Sequence, residues 1–130
     1  MIKESEVVPM LLRQFPEFKK YWDDHWDYLG EENEFGLCGK LFPFTRYALD
    51  LLNLETAEAD EILHKMFDIS ENLMTEGNET IRTAIATCFL EDISNRFAEE
   101  PEKNERFKTF LGPESLGYCE AWEELWNPKS

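Results

Sequence analysis

Basic residues are scarce in this chain of 130 residues: 13 Lys and Arg stand against 28 Asp and Glu, a net charge of −15 at pH 7. That scarcity excludes direct nucleic-acid binding, because affinity for phosphates comes from Lys and Arg. Binding to an anionic membrane surface is excluded on the same ground. Long apolar runs are missing too, since none approaches the roughly 18–20 residues of a spanning helix. Residues Met1 to Glu6 hold no basic segment followed by an apolar one, so no signal peptide is expected. The cysteines are few and odd in number: Cys38, Cys88 and Cys119, spaced by 50 and 31 residues. This is neither a zinc pattern nor a disulfide framework, and three reduced thiols in a reducing cytoplasm are expected. Gly-rich phosphate loops, the Walker pattern, the nucleophile elbow and His-Glu-x-x-His are all absent.

What is present is a large apolar payload. Hydrophobic residues make up 42%, and Phe, Trp and Tyr contribute 10, 4 and 4 side chains, too many for a disordered acidic tail. The length suits a single helical domain over 1–130, with a radius of gyration of about 14 Å. Period-2 alternation is nowhere long enough for a strand, whereas helical spacing recurs throughout. A first helix is expected over about Lys3–Gln14, kinked or delayed by Pro9. Pro16 opens a second, with Phe18, Trp22, Trp26 and Leu29 on one face, and Gly30 closes it. Residues 30–42 read as a loop, and Pro43 as the start of a third helix. Thr56 and Asn78 read as N-caps flanking Gly77, so the two long helices around them form an antiparallel hairpin. The second carries Ile81, Ala84, Ile85, Cys88, Phe89, Ile93 and Phe97 on one stripe. Pro101 and Gly112-Pro113 punctuate two further helices, the last with Tyr118, Trp122, Leu125 and Trp126 as its apolar positions. The expected fold is all-α, a compact irregular bundle of six or seven helices around a central HEAT-like antiparallel hairpin. Leu73, Ile85, Phe89, Ile93 and Trp122 are expected to be buried.

Catalytic and metal chemistry find little support. Asp23 and Asp27 lie one helical turn apart, yet no further ligands stand at suitable spacing, so no metal or cofactor is expected. His25 reads as a ring packed beside Trp22 and Trp26. His64 has no evident nucleophile to serve, and no acid/base pair is visible. An enzyme is therefore not expected.

What remains is a surface. Six carboxylates, Asp23, Asp24, Asp27, Glu31, Glu32 and Glu34, follow one another with no Lys or Arg between them. Tyr28 and Phe35 accompany them, and aromatic anchors in a charged rim suit a protein-binding hot spot. A weaker second cluster is Glu55, Glu58, Asp60 and Glu61, at the start of the hairpin. The plain alternative is that Trp22 and Trp26 are core and the carboxylates keep a loop hydrated.

Three segments carry a resemblance: Phe15-Pro16-Glu17-Phe18, Ala84 through Asn95, and Phe110-Leu111-Gly112-Pro113-Glu114-Ser115. With them the chain resembles a family of small all-helical bacterial proteins of unknown function. Its members look like immunity proteins encoded beside the toxin domains of polymorphic and contact-dependent inhibition systems. The resemblance, over roughly residues 10–126, implies a helical fold and carries no catalytic residue across. Taken with the acidic composition, the reduced thiols and the lack of a signal peptide or active site, it points to a cytoplasmic protein, monomeric when free, that pairs one-to-one with a cognate basic toxin domain. A nuclease toxin, with a ribonuclease favoured, would be basic because its substrate is a polyanion. Two other classes remain open: a non-enzymatic helical adaptor or scaffold for a peptide or subunit, and an acidic hydrolase using Asp23 and Asp27.

Overall fold

Local chemistry sets most of the helix ends. A computed structural model describes residues 2–29 and 36–126, with the backbone alone for residues 26–29 and 126. Helix α1 (Glu4–Gln14) starts where the Glu6 carboxylate accepts the Lys3 N–H at 2.7 Å. It keeps Pro9 in its interior and buries Val7, Val8 and Leu11. A turn at Phe15–Glu17 leads into α2 (Phe18–Leu29), where Phe18 and Trp22 face the core. Helix α3 (Leu37–Leu52) follows. Thr56 then caps α4 (Ala57–Glu76), its hydroxyl accepting Ala59 N–H at 3.1 Å, as the sequence predicts. Asn78 caps α5 (Glu79–Ile85) in the same way, at 2.9 Å from Ile81 N. Helices α6 (Glu91–Arg96), α7 (Pro101–Thr109) and α8 (Pro113–Trp126) complete the described chain, which contains no strand.

Two features depart from the expected helices. Helix α3 begins at Leu37, ahead of Pro43, which lies inside it. Proline removes one helical hydrogen bond, but burying Leu37 and Leu41 in that first stretch offsets the loss. Between α5 and α6 the helix widens into a π turn over Ala86–Leu90, where Glu91 N donates to Ala86 O. The wide turn buries Ala86, Cys88, Phe89 and Leu90. The Thr45 hydroxyl of α3 supports it, lying 2.9 Å from Cys88 O and 3.2 Å from Leu41 O.

Helix α3 is the hub, packed against α2, α4, α5 and the π turn. A chain of phenylalanines passes through it. Phe18 meets Phe44 at 5.0 Å, Phe44 meets Phe89 at 5.3 Å, Phe89 meets Phe67 at 5.4 Å, and Phe67 meets Phe107 at 5.6 Å. Each such pair is worth about 0.5–1.5 kcal/mol beyond its burial. Leu73, Ile85, Phe89 and Ile93 are buried as expected.

Cations close the helix ends around this core. Arg106 of α7 donates to Leu52 O at 2.6 Å and Leu54 O at 3.1 Å, satisfying carbonyls at the end of α3. Lys65 of α4 reaches Gln14 O at 2.9 Å, at the end of α1.

Helix α8 is held differently from the expectation. Its buried positions are Ser115 and Cys119, two small residues that let the helix approach closely, while Trp122 is half-exposed and Leu125 is 68% exposed. The Glu71 carboxylate of α4 caps its start, accepting from Glu114 N at 2.8 Å, Ser115 N at 3.0 Å and the Ser115 hydroxyl at 2.8 Å. Gly112 makes room for this clamp, because a Cβ there would lie 2.5 Å from Glu71 Cδ.

The thiols also differ from expectation. Cys38 and Cys88 are joined in a disulfide, with Cα atoms 5.5 Å apart, and only Cys119 is free. Sequence spacing could not show this, because the pairing depends on the first turn of α3 meeting the π turn. The thiol argument for a reducing cytoplasm therefore falls away.

Candidate functional site

The first acidic stretch is partly neutralised. Asp23 pairs with Lys19 at 2.7 Å along α2, and Asp24 lies 3.5 Å from Arg46 of α3, all on exposed side chains. The uninterrupted acidic run in sequence thus meets cations from the preceding turn and a neighbouring helix. Asp27 and Tyr28 belong to the backbone end of α2, and their side chains lie outside the described residues. Glu31, Glu32, Glu34 and Phe35 lie outside them altogether. His25 is half-buried near Arg46 and Asp24. Burial and the Arg46 charge lower its pKa, with Asp24 pulling weakly the other way. Tyr21 donates to Asp50 at 2.5 Å, tying α2 to α3, and burial with that bond pushes its phenol up to about 12.

The second acidic cluster is fully described. Glu55, Glu58 and Glu61 are exposed, and none takes part in an ion pair among the described residues. Asp60 differs: it binds Arg106 at 2.6 Å and helps hold α7 against the start of α4. An apolar side chain that the sequence reading missed, Leu54, stands 52% exposed beside Glu55.

A third place was also missed. A cleft of about 1000 Å³ opens between α6, α7 and α8. Lys108 and Glu123 form its central pair at 2.7 Å, and Asn104 Nδ2 donates to the other Glu123 oxygen at 2.6 Å. Burial alone would raise the Glu123 carboxyl, but these bonds outweigh it and hold it below the ordinary range. The Trp122 indole, also in the lining, donates to Asn95 Oδ1 at 3.0 Å across the mouth. The available signal was the clustering of Glu120, Trp122, Glu123 and Glu124 on α8. Helical spacing marks only Trp122 of these, as an apolar position of the last helix.

Nucleophilic chemistry is poorly served. Cys88 is bonded, and burial pushes the Cys119 thiol up to about 11, which leaves it protonated at neutral pH. His64 is exposed, its ring edge-on to Phe110 at 4.7 Å. Among the described residues no three His, Cys, Asp or Glu side chains gather as a metal site. Nor is any helix among them long and apolar enough to cross a membrane.

Residues 8–127 match the model of a protein family described as a domain of unknown function, DUF7674. The chain belongs to the DUF7674 family. The match takes in every helix of the bundle, from within α1 to the end of α8. The DUF7674 description names no activity and no partner. No curated protein and no solved structure matches the chain.

Proposed function

We propose that this DUF7674 protein is an immunity protein that binds a cognate basic toxin domain one-to-one and neutralises it without enzymatic action. The toxin is a nuclease, with a ribonuclease favoured, and the encounter takes place in the cytoplasm. The observation that carries the reading is the corner at the start of α4, where exposed Leu54 stands among exposed Glu55, Glu58 and Glu61 on a chain of net charge −15. Carboxylates placed where a polyanionic substrate would lie compete with it, and an apolar anchor slows dissociation. The stretch Asp23–Glu34 is the companion contact in this reading.

The test uses the C-terminal domain of the protein encoded beside this gene as the candidate partner, which this reading expects to be basic. The two proteins should form a 1:1 complex that abolishes the domain's activity. Association should slow as salt rises toward 0.5 M, where screening shortens to roughly 4–5 Å. Reversing Asp27, Glu31 and Glu32 together to Lys, or Glu55, Glu58 and Glu61 together, should slow association at least tenfold with helix content unchanged. A neighbour that forms no complex overturns the inhibitor reading. A neighbour that binds but keeps full activity replaces it with the helical adaptor.

A further inference from the structure

We infer that the cleft between α6, α7 and α8 receives an arginine side chain from a basic protein partner. The inference deepens the inhibitor reading and takes the nature of the partner from it. Four observations bear on it.

The first is shape. At about 1000 Å³ the cleft holds far more than a water molecule, and Phe97, Pro101 and Trp122 give it apolar walls. The second is charge. Glu105, Glu120, Glu123 and Glu124 line it against one ammonium, Lys108. That ammonium is committed to Glu123 at 2.7 Å, and Asn104 takes the other Glu123 oxygen. The Glu105 carboxylate is only at the limit of pairing with Lys108, at 4.0 Å. Glu105, Glu120 and Glu124 are thus left exposed to a cation arriving from outside.

The third observation concerns missing partners. Asn104 Oδ1 and Ser94 Oγ are buried atoms of the lining without a hydrogen-bond partner, apart from the weak thiol of Cys119 beside Ser94. Ser94 is only 6% exposed. Asn104 Oδ1 can only accept, so an N–H donor is the group that would satisfy it once the cleft wall gives enough to uncover it. A guanidinium carries five N–H groups in a planar fork, enough for this carbonyl and the rim carboxylates together. The fourth is the indole. Its bond to Asn95 fixes Trp122 in the cleft wall, and guanidinium is the biological cation best suited to lie along an indole. An ammonium is compact, strongly hydrated and cannot serve the same acceptors in one plane.

The test reads the Trp122 indole N–H by two-dimensional NMR, its resonance assigned by loss in Trp122→Phe. The probe is a capped tri-arginine peptide, compared with capped tri-lysine and with spermidine. Tri-arginine should shift the Trp122 resonance saturably and bind at least tenfold tighter than either comparison probe. Combined Glu105→Gln, Glu120→Gln and Glu124→Gln substitutions should weaken it at least tenfold with the circular dichroism spectrum unchanged. An unmoved Trp122 resonance, equal binding by lysine or spermidine, or undiminished binding by the triple variant overturns the inference. The same variant is then offered the neighbour's C-terminal domain. If that domain binds wild type and variant alike, the cleft is not the seat and the inhibitor reading stands. If it binds neither while tri-arginine behaves as expected, the inhibitor reading falls and the arginine site stands.

Discussion

Phe89 touches both Phe44 and Phe67 and is fully buried, so it links the two halves of the core. Replacing it by Ala should cost about 3–5 kcal/mol in urea unfolding. A loss under about 1 kcal/mol would mean that the core closes over the gap. This position was legible because its neighbours recur at helical spacing. Trp122 was not, for a physical reason. Bulk predicts burial only when a residue lies on the docking face, and the docking face of α8 is set by Ser115 and Cys119. Glu71 is a second residue whose role no local pattern shows. Changing it to Ala strips three donors at the start of α8 of their acceptor. The expected cost is about 1–3 kcal/mol, with faster amide exchange at Glu114 and Ser115.

At the scale of the element, α8 is held at its start by Glu71 and towards its end by its own Glu123 reaching α7, with Tyr118 donating to Glu91 of α6 between them. Burial raises the Glu71 and Glu123 carboxyls, but hydrogen bonds to Glu71 and the Lys108 and Asn104 contacts of Glu123 outweigh it, leaving both below the ordinary value. Depressed folded values mean that the stability they add is complete above the unfolded carboxyl value, roughly 4.3. It is lost as pH falls through the lower folded values. Acidification should therefore loosen α8 before the central bundle, read as a change in Trp122 fluorescence ahead of the loss of helical dichroism. Thr56, Asn78 and Gly112-Pro113 were legible as helix boundaries because a cap is a matter of three or four consecutive residues. The π turn was not, because its supporting hydroxyl comes from Thr45, 43 residues away. Pro43 misled for a related reason, since tertiary burial of Leu37 and Leu41 overrode a local breaker.

For the molecule as a whole, the all-α class followed from periodicity alone, and the acidic excess from counting. How that excess is distributed did not follow. The acidic run after Asp23 looked unopposed because Arg46 is remote in sequence. The α6–α8 cleft was hidden because Ser94, Asn104 and Trp122 are each unremarkable where they stand and acquire meaning only when three helices converge. The covalent link was hidden by the same distance. The Cys38–Cys88 bond closes a loop of 50 residues, which in the chain-entropy account restricts the unfolded state by about 4 kcal/mol. Reduction, or Cys38→Ser, should lower the melting temperature with little change in the folded dichroism spectrum.

That bond also fixes an order of events. The loop it closes contains α4 and α5 whole and α3 from its second residue, while α1, α2 and α6 to α8 lie outside it. Inside the loop, the chain stays tethered to itself even when its packing opens; outside, each helix can peel away and diffuse off. Under oxidising conditions hydrogen exchange should therefore be slowest across α3, α4 and α5 and fastest in the flanking helices. The acidic end of α2 and the tryptophan cleft both fall in the parts that are free to peel. A partner that grips those parts would join the two outer layers around a covalently closed centre and slow their exchange. Within the centre the change would be confined to the start of α4, where Leu54, Glu55, Glu58 and Glu61 also meet the partner.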